Sequence, residues 1–258
     1  FDSDEFKKDM EKCSCEIDNI NQWVQKELTN TDNALSKIEQ YINSLNRLYN
    51  IFSKLSNFCE LNLSTNAKDT TALRYLEKLE NLITEITIPN VTFQKWLCSI
   101  KNLDEVIYKS KLLIDHNYFL SEQVNKSRHV LSEKEENIIS KMKNTGSGSW
   151  SKLQELLTST LLIDLEMDGE LKQLPLSTVR NMAYEKDPEL RKKAYYAELS
   201  GYPKIAEASA ACLNGIKGEV ITTSKLKGYA SPMERTLIDS RMDSVTLDVM
   251  FTAIRESL

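Results

Sequence analysis

Apolar residues recur at steps of three and four over long stretches of this chain, and this spacing constrains the fold more than any other feature. Between Asp32 and Cys59 they are Leu35, Ile38, Ile42, Leu45, Tyr49, Phe52, Leu55 and Cys59. Such a step places side chains on one face of an α-helix, so the stretch predicts one long amphipathic helix. Glycine and proline, which helix interiors tolerate poorly, number only 7 and 5 in 258 residues. We therefore expect a mainly α fold of long antiparallel helices.

Two further stripes follow the first. Residues 73–86 repeat the pattern, and Ile88-Pro89-Asn90 is expected to stop it; a third stripe begins at Phe93 and is expected to run on towards Phe119. Ser132 followed by Glu135 is a capping-box pattern that predicts a helix start. The run from Asn144 to Ser149, Asn-Thr-Gly-Ser-Gly-Ser, has the composition of a flexible loop, and we predict one there.

One segment departs from helical spacing. Leu161, Ile163, Leu165 and Met167 alternate with other residues, and Asp168-Gly169 follows. Alternation next to Asp-Gly is typical of a short hairpin, so one small β-hairpin is expected near 161–174. An isolated hairpin is only marginally stable, and this one should lean on the helices.

Helix-start signals punctuate the remainder. Ser177 is expected to cap a helix near Thr178, whereas Asp187-Pro188 and Ser231-Pro232 each place a cap before a proline. The run 189–225 predicts two helices, or one with a kink at Gly201 and Pro203. We predict a long-helix N-terminal lobe over 1–145 and a second helical region, with the hairpin, over 150–258. A last stripe (Leu247, Met250, Phe251 and Ile254) still repeats at the final residues, which suggests that the natural protein continues; the missing initiator Met suggests a lost N-terminal piece.

Charge and cysteine content exclude several classes. The net charge is -5 with both signs interspersed, so nucleic acid is not an expected partner. No apolar run approaches the roughly 20 residues of a membrane helix, and no membrane association is expected. The five cysteines, Cys13, Cys15, Cys59, Cys98 and Cys212, are irregularly spaced, which favours free thiols in a reducing cytoplasm. Cys13 and Cys15 do not share a helix face, which argues against a metal pair.

Catalytic patterns are missing from the sequence. A zinc peptidase motif needs two histidines at i and i+4 with an intervening glutamate, but His116 and His129 stand alone. Gly146-Ser-Gly148 lacks the lysine and the preceding strand of a phosphate loop. Tyr184, Tyr195 and Tyr196 are open to two interpretations, a peptide groove or ordinary packing. We therefore predict no catalytic, cofactor-binding or metal-binding residue in this chain.

A set of short motifs carries a family resemblance. Their residues are Pro175-Leu-Ser177, then Asp187, Arg191, Ala194 and Tyr195, then Leu213-Asn214, and finally Lys227-Gly-Tyr-Ala-Ser-Pro232. With them, the stretch from Leu174 to Leu258 resembles the oligoendopeptidase F branch of the thimet-oligopeptidase-like zinc metallopeptidases. The stretch from His116 to Ser159 also follows the family's order, while the first hundred residues fit only loosely.

The resemblance implies an architectural role. In that family the zinc motif lies C-terminal to everything present here, so zinc would bind in the remainder of the parent protein and not in this chain. The N-terminal helices of the family form one wall of a deep channel that admits short peptides. The resemblance thus implies the N-terminal region of a cytoplasmic oligopeptidase, with the C-terminal catalytic half and short peptides as partners.

Two other functions stay open from the residues alone. The long stripes at 32–59 and 73–107 also suit a non-enzymatic helical scaffold or partner-binding protein. A coiled-coil oligomer is disfavoured because the apolar spacing drifts and lacks sustained heptads. A reading frame that continues past Leu258 into a His-Glu-x-x-His motif would distinguish the peptidase from the scaffold.

Overall fold

The structure, a computed structural model, describes residues 1–167 and 169–257. The prediction of a mainly α fold with one small hairpin is confirmed. The α-helices are α1 (Asp4–Glu27), α2 (Ala34–Thr65), α3 (Thr70–Ile83), α4 (Thr87–Ser99), α5 (Leu103–Ile107), α6 (Lys111–Asp115), α7 (Asn117–Lys126), α8 (Glu133–Thr145), α9 (Ser147–Ser159), α10 (Leu176–Asn181), α11 (Pro188–Gly201), α12 (Ala206–Leu226), α13 (Pro232–Asp239) and α14 (Ser244–Ser257). Strands β1 (Leu162–Met167) and β2 (Glu170–Pro175) form the hairpin. No helix within these residues has both the length and the apolar character needed to cross a membrane.

The long helices at the N-terminus form as their spacing predicts. Ser3 caps α1 by accepting the amide N–H of Phe6. Lys54, late in α2, pairs with Glu5 and Asp9, early in α1, at 2.7 and 2.9 Å, so the two helices run antiparallel. The predicted stripe of α2 is largely buried, with Ile38 and Leu55 at the seam.

The expected end of the second stripe is wrong. Helix α3 already ends at Ile83, and Ile88-Pro89-Asn90 lies at the start of α4. Pro89 is tolerated there because first-turn amides have no partner within the helix. The third stripe is likewise interrupted, since α4 ends at Ser99 and Asn102 adopts a left-handed φ of 56° before α5. Short helices α5 to α7 therefore replace the single long helix that the spacing suggests.

The predicted glycine-serine loop is also wrong. Helix α8 runs to Thr145 and α9 begins at Ser147, so only Gly146 separates them. The reason is a contact from far along the chain. The carboxylate of Glu219, in α12, accepts the N–H of Ser147 at 2.7 Å and its hydroxyl at 2.7 Å, which caps α9. Composition near Gly146 carries no sign of this cap.

The hairpin is confirmed within a residue of its predicted limits. β1 and β2 pair antiparallel, with Ile163 opposite Leu174. Leu161, Ile163 and Leu165 are buried, as the alternation predicts. Of the expected turn pair, Asp168 lies outside the described residues, and Gly169 has the positive φ, 81°, that such a turn requires. The hairpin leans on α11, where Gly201 faces the side chain of Ile163.

Most of the later helix starts are confirmed. Asp187 accepts the amide of Glu189 at the start of α11, and Ser231 accepts that of Glu234 at the start of α13. The Ser132–Glu135 capping box is complete. The expected cap at Ser177 is wrong, because α10 begins at Leu176, directly after Pro175, so that Ser177 already lies within the helix. Helices α11 and α12 are separate, with a tight turn at Tyr202–Lys204 between them.

Two hydrophobic clusters organise the molecule. The larger contains buried residues from Phe6 to Leu120, contributed by the helices α1 to α7. The smaller lies between the hairpin and α10 to α11 and includes Leu161, Ile163, Leu176, Val179 and Ala194. No buried residue belongs to both clusters in the described part of the chain. The division into regions 1–145 and 150–258 stays a prediction.

Candidate functional site

Each of the two histidines contacts a backbone carbonyl oxygen. His116 Nδ1 lies 2.8 Å from the carbonyl oxygen of Leu112, one helical turn earlier. His129 Nδ1 lies 3.0 Å from the carbonyl oxygen of Lys227, and its ring stacks on Tyr229 with centroids 3.9 Å apart. A carbonyl oxygen only accepts, so in each ring Nδ1 carries the proton. The described contacts of the two imidazoles are therefore structural: each ring binds a backbone carbonyl, and the ring of His129 also stacks on an aromatic side chain.

The five cysteines differ in their exposure to solvent. Cys13, Cys59 and Cys212 are buried, whereas Cys15 and Cys98 are exposed. Burial raises the pKa of the Cys13 thiol to about 11, and it also raises the pKa of Cys59. A raised pKa leaves little thiolate at neutral pH, which makes these two thiols poor nucleophiles and metal ligands.

The donor groups do not fit a zinc ion. Within the described ranges, no three His, Cys, Asp or Glu side chains lie close enough together to hold a metal. A catalytic zinc needs three protein ligands and an open position. We therefore derive no chemistry through zinc in this chain, and the expectation of no catalytic or metal residue stays a prediction.

Helices α11 to α14 carry a set of exposed apolar side chains. Its members are Tyr195, Tyr196, Leu199, Leu213, Ile221, Leu226, Met233, Val245, Val249, Met250, Phe251 and Ile254. Neither α13 nor α14 has a buried residue among those described. In α14 the spacing of Met250, Phe251 and Ile254 places them on one face. We call these residues of α11 to α14 the exposed apolar set. An exposed apolar helix face of this kind is typical of a binding surface.

A polar junction connects these helices to the N-terminal ones. The Nζ of Lys227 lies 2.7 Å from Oε2 of Glu136, and Oε1 of Glu136 accepts the amide N–H of Leu131 at 3.0 Å. Glu136 is 7% exposed, so its charge is buried but fully partnered. Beside this pair lie the His129–Tyr229 stack and a cleft of about 260 Å³ that Lys126, Arg235 and Asp239 help to line. The turn after α12 is thereby attached to α8.

A second polar contact holds the turn between α13 and α14. Arg241 donates from Nε and from a terminal nitrogen to the two carboxylate oxygens of Glu122, at 3.3 and 3.2 Å. Its guanidinium carbon also lies 4.8 Å from the centre of the Tyr118 ring. Lys126 extends the contact by pairing with Glu122 at 3.5 Å and Asp239 at 3.3 Å. The hydrogen bond from Arg241 lowers the pKa of Glu122, which keeps this carboxyl ionised.

Close packing joins α9 to α12. A Cβ placed on Gly215 would lie 2.5 Å from the indole nitrogen of Trp150. Only glycine lets the indole lie directly on the α12 backbone. Together with the Glu219 cap, this contact fixes α12, which carries part of the exposed apolar set, against α9.

Sequence reasoning found some of these residues and missed others. The α14 stripe and the Lys227–Pro232 turn stand out in the sequence; in the structure the stripe belongs to the exposed apolar set and Lys227 pairs with Glu136. Glu219, Glu136 and Arg241 were missed because each acts on a partner at least 72 positions away. Tyr184, Tyr195 and Tyr196 are all exposed, which excludes packing in the core.

The chain resembles known proteins in part of its sequence and in its fold. The family model described as Oligopeptidase F matches residues 88–162. That range includes the whole of the His116–Ser159 stretch and lies upstream of the stretch from Leu174. A sequence search of curated proteins finds no match.

Solved structures share the fold over nearly the whole chain. Oligoendopeptidase-F from Enterococcus faecium is 16% identical, with a TM-score of 0.75, and the match covers 95% of this chain and 48% of that one. PZ peptidase A with an inhibitor is 14% identical, with a TM-score of 0.64, over 91% of this chain and 38% of that one. The resemblance to the oligoendopeptidase F family is confirmed, and the first hundred residues, which fit loosely by sequence, share its fold. The chain spans less than half the length of these structures.

Proposed function

We propose that this chain is the N-terminal region of a cytoplasmic zinc metallo-oligopeptidase of the oligoendopeptidase F type, which hydrolyses short peptides. In this proposal the zinc and its ligands belong to the C-terminal catalytic half of the same protein. The present helices supply a channel wall and a substrate filter, and they take no part in bond cleavage.

One observation carries the proposal. Among its described residues, helix α14 has no buried side chain, and its apolar face exposes Met250, Phe251 and Ile254 at 42, 44 and 47%. A free helix of 14 residues is marginal in water, so a packing partner is expected for its apolar face. The matched structures extend well beyond the region shared with this chain. We propose that the corresponding length of the parent protein supplies this partner.

The role as a filter follows from steric exclusion. Helices that narrow an entrance admit an extended peptide but not a folded protein, and a lobe that closes over the site also orients the peptide. The exposed apolar set suits docking to the catalytic half. The N-terminal helices, which have their own large core, are then free to form the wall.

Peptide hydrolysis tests the proposal. The chain alone should not cleave a quenched fluorescent peptide, with or without added zinc. Mixing it with the separately produced catalytic half, encoded downstream in the same gene, should restore chelator-sensitive cleavage. Phe251→Glu should weaken this restoration, whereas Leu61→Glu, at a position on α2 that is 68% exposed, should not.

Two results would overturn the proposal. Chelator-sensitive cleavage by the chain alone would place catalysis within it. A gene that stops at Leu258, without a His-Glu-x-x-His motif, would favour the non-enzymatic scaffold.

A further inference from the structure

Helix α14 follows α13 after a turn at residues 240–243. Its side-chain hydrogen bonds, among the described residues, stay within the helix: Thr252, Arg255 and Ser257 all bond to backbone carbonyls of α14 itself. Of its described residues only Leu247 is partly buried and none is fully buried, so apolar packing contributes little to its direction. The direction of α14 is therefore set by the turn that precedes it.

Arg241 is the residue on which that turn depends. It adopts a left-handed φ of 54°, and the amide of Met242 donates to the carbonyl of Leu237 at 2.9 Å, which closes the end of α13. The left-handed residue reverses the chain, and its side chain reaches back to α7. There the guanidinium binds both oxygens of Glu122 and covers the ring of Tyr118.

The electrostatics of this contact make it more than a surface ion pair. The side chain of Glu122 is only 13% exposed, whereas that of Arg241 is 56% exposed. A two-point contact from a planar guanidinium fixes an angle as well as a distance, which a single lysine contact does not. The ring of Tyr118 adds a cation–π contact on the guanidinium face.

We infer that Arg241 is a positioning residue, which fixes the direction of the apolar face of α14 relative to α7 and so presents that face ready for its partner. The inference rests on the proposed function for the identity of the partner, the catalytic half. We call the contact of Arg241 with Glu122 and Tyr118 the clamp. Without the clamp, α14 pivots about the turn that precedes it, and docking has to restrict that motion. Pre-organisation of this kind raises affinity without adding a contact to the partner.

A distance measurement on the chain itself tests the clamp. Spin labels are attached through Asn125→Cys on α7 and Thr252→Cys on α14, both at exposed positions. Exposed Cys15 and Cys98 are replaced by serine, while Cys13, Cys59 and Cys212 are buried and resist labelling. The unaltered clamp should give one narrow distance distribution. Arg241→Ala should broaden it, whereas Arg255→Ala, which removes an arginine from α14 itself, should leave it narrow.

Charge reversal separates positioning from a general loss of structure. Glu122→Arg alone and Arg241→Glu alone should each broaden the distribution. The double variant restores an opposite-charge pair and should be narrower than either single variant. An unchanged narrow distribution in Arg241→Ala, or a double variant as broad as the singles, would overturn the inference.

Binding to the catalytic half links the clamp to function. Arg241→Ala should weaken that association by about fivefold to tenfold, as expected for losing one partly buried ion pair and one cation–π contact. If the unaltered chain fails to associate at all, the proposed function fails, and the distance measurement still decides the clamp. If Arg241→Ala binds as tightly as the unaltered chain, the clamp has no part in docking.

Discussion

At the scale of single residues, Gly146 leaves no room for a side chain. A Cβ there would lie 2.6 Å from Oε2 of Glu219 and 2.9 Å from the carbonyl oxygen of Met142. Gly146→Ala should therefore displace Glu219 from the start of α9 and destabilise the protein by about 1–3 kcal/mol. Chemical denaturation followed by circular dichroism measures the loss.

Gly218→Ala is the matched control for this substitution. A Cβ at Gly218 meets nothing within 4 Å, and the residue lies inside α12. Alanine should stabilise the helix there by about 0.5–1 kcal/mol. A Gly146→Ala protein as stable as the unaltered one would show that Glu219 does not need its present position.

The lowered pKa of Glu122 makes the clamp sensitive to acid. A carboxyl whose pKa is lower in the folded state than its ordinary 4.5 stabilises the fold above that value and loses this contribution as the pH falls through the folded pKa. Glu122→Gln should therefore be less stable than the unaltered protein at pH 7, and the two should converge in acid. Denaturation at a series of pH values measures this, and a stability difference that stays constant into acid would contradict it.

At the scale of elements, the crossing of α9 and α12 depends on Gly215. A Cβ there would lie within 3 Å of three atoms of the Trp150 indole. Gly215→Ala should force the helices apart and cost about 1–3 kcal/mol, in spite of the better helix propensity of alanine. Stability measured by denaturation should recover partly when Trp150→Leu is added, since a smaller side chain leaves room for the methyl group. Equal loss in the single and double variants would contradict this account.

The elements could be predicted where their signals are local. The stripe of α2, the capping box at Ser132 and the alternation around Ile163 each act within a few residues, and each prediction is confirmed. The loop expected around Gly146 is wrong because its cap comes from Glu219, 72 positions away. The helix end predicted at Pro89 is wrong for a related reason, since a proline in the first turn of a helix and a proline that ends a helix look alike in sequence.

The candidate site could be predicted only in part. The α14 stripe is visible as a spacing of three and four, because amphipathicity is a local property. The polar residues that hold the turn before α14 are not visible in this way, since Arg241 and Glu122 are ordinary polar residues in the sequence until the fold brings them together. The proposed partner rests on the family resemblance, because the spacing of apolar residues does not identify one.

At the scale of the whole molecule, the described residues of α13 and α14 lie outside both hydrophobic clusters and expose apolar side chains. Phe251→Glu should change the unfolding free energy by no more than about 0.5 kcal/mol, because the residue is 44% exposed and packs on no core. The same change should reduce binding of an apolar fluorescent dye and any self-association seen by sedimentation. Phe93→Ala provides the contrast: Phe93 is 1% exposed and stacks on Tyr41, and its truncation should cost about 3–5 kcal/mol.

The opposite result for Phe251 would be informative. If Phe251→Glu unfolded the chain, α14 would have to pack against other parts of the molecule in solution. The polar clamp at Arg241 would then not be its main attachment.

The cap that Glu219 places on α9 has a consequence for the order of events on the ribosome. Ser147 leaves the synthesis site 72 residues before its partner does, which at typical rates is on the order of 4 to 14 seconds. During that interval the helices up to α8 have all the residues of the large cluster and can collapse, while the first turn of α9 still has unpaired amides. Folding during translation should therefore pause at Gly146, with α9 left nascent until α12 has been made.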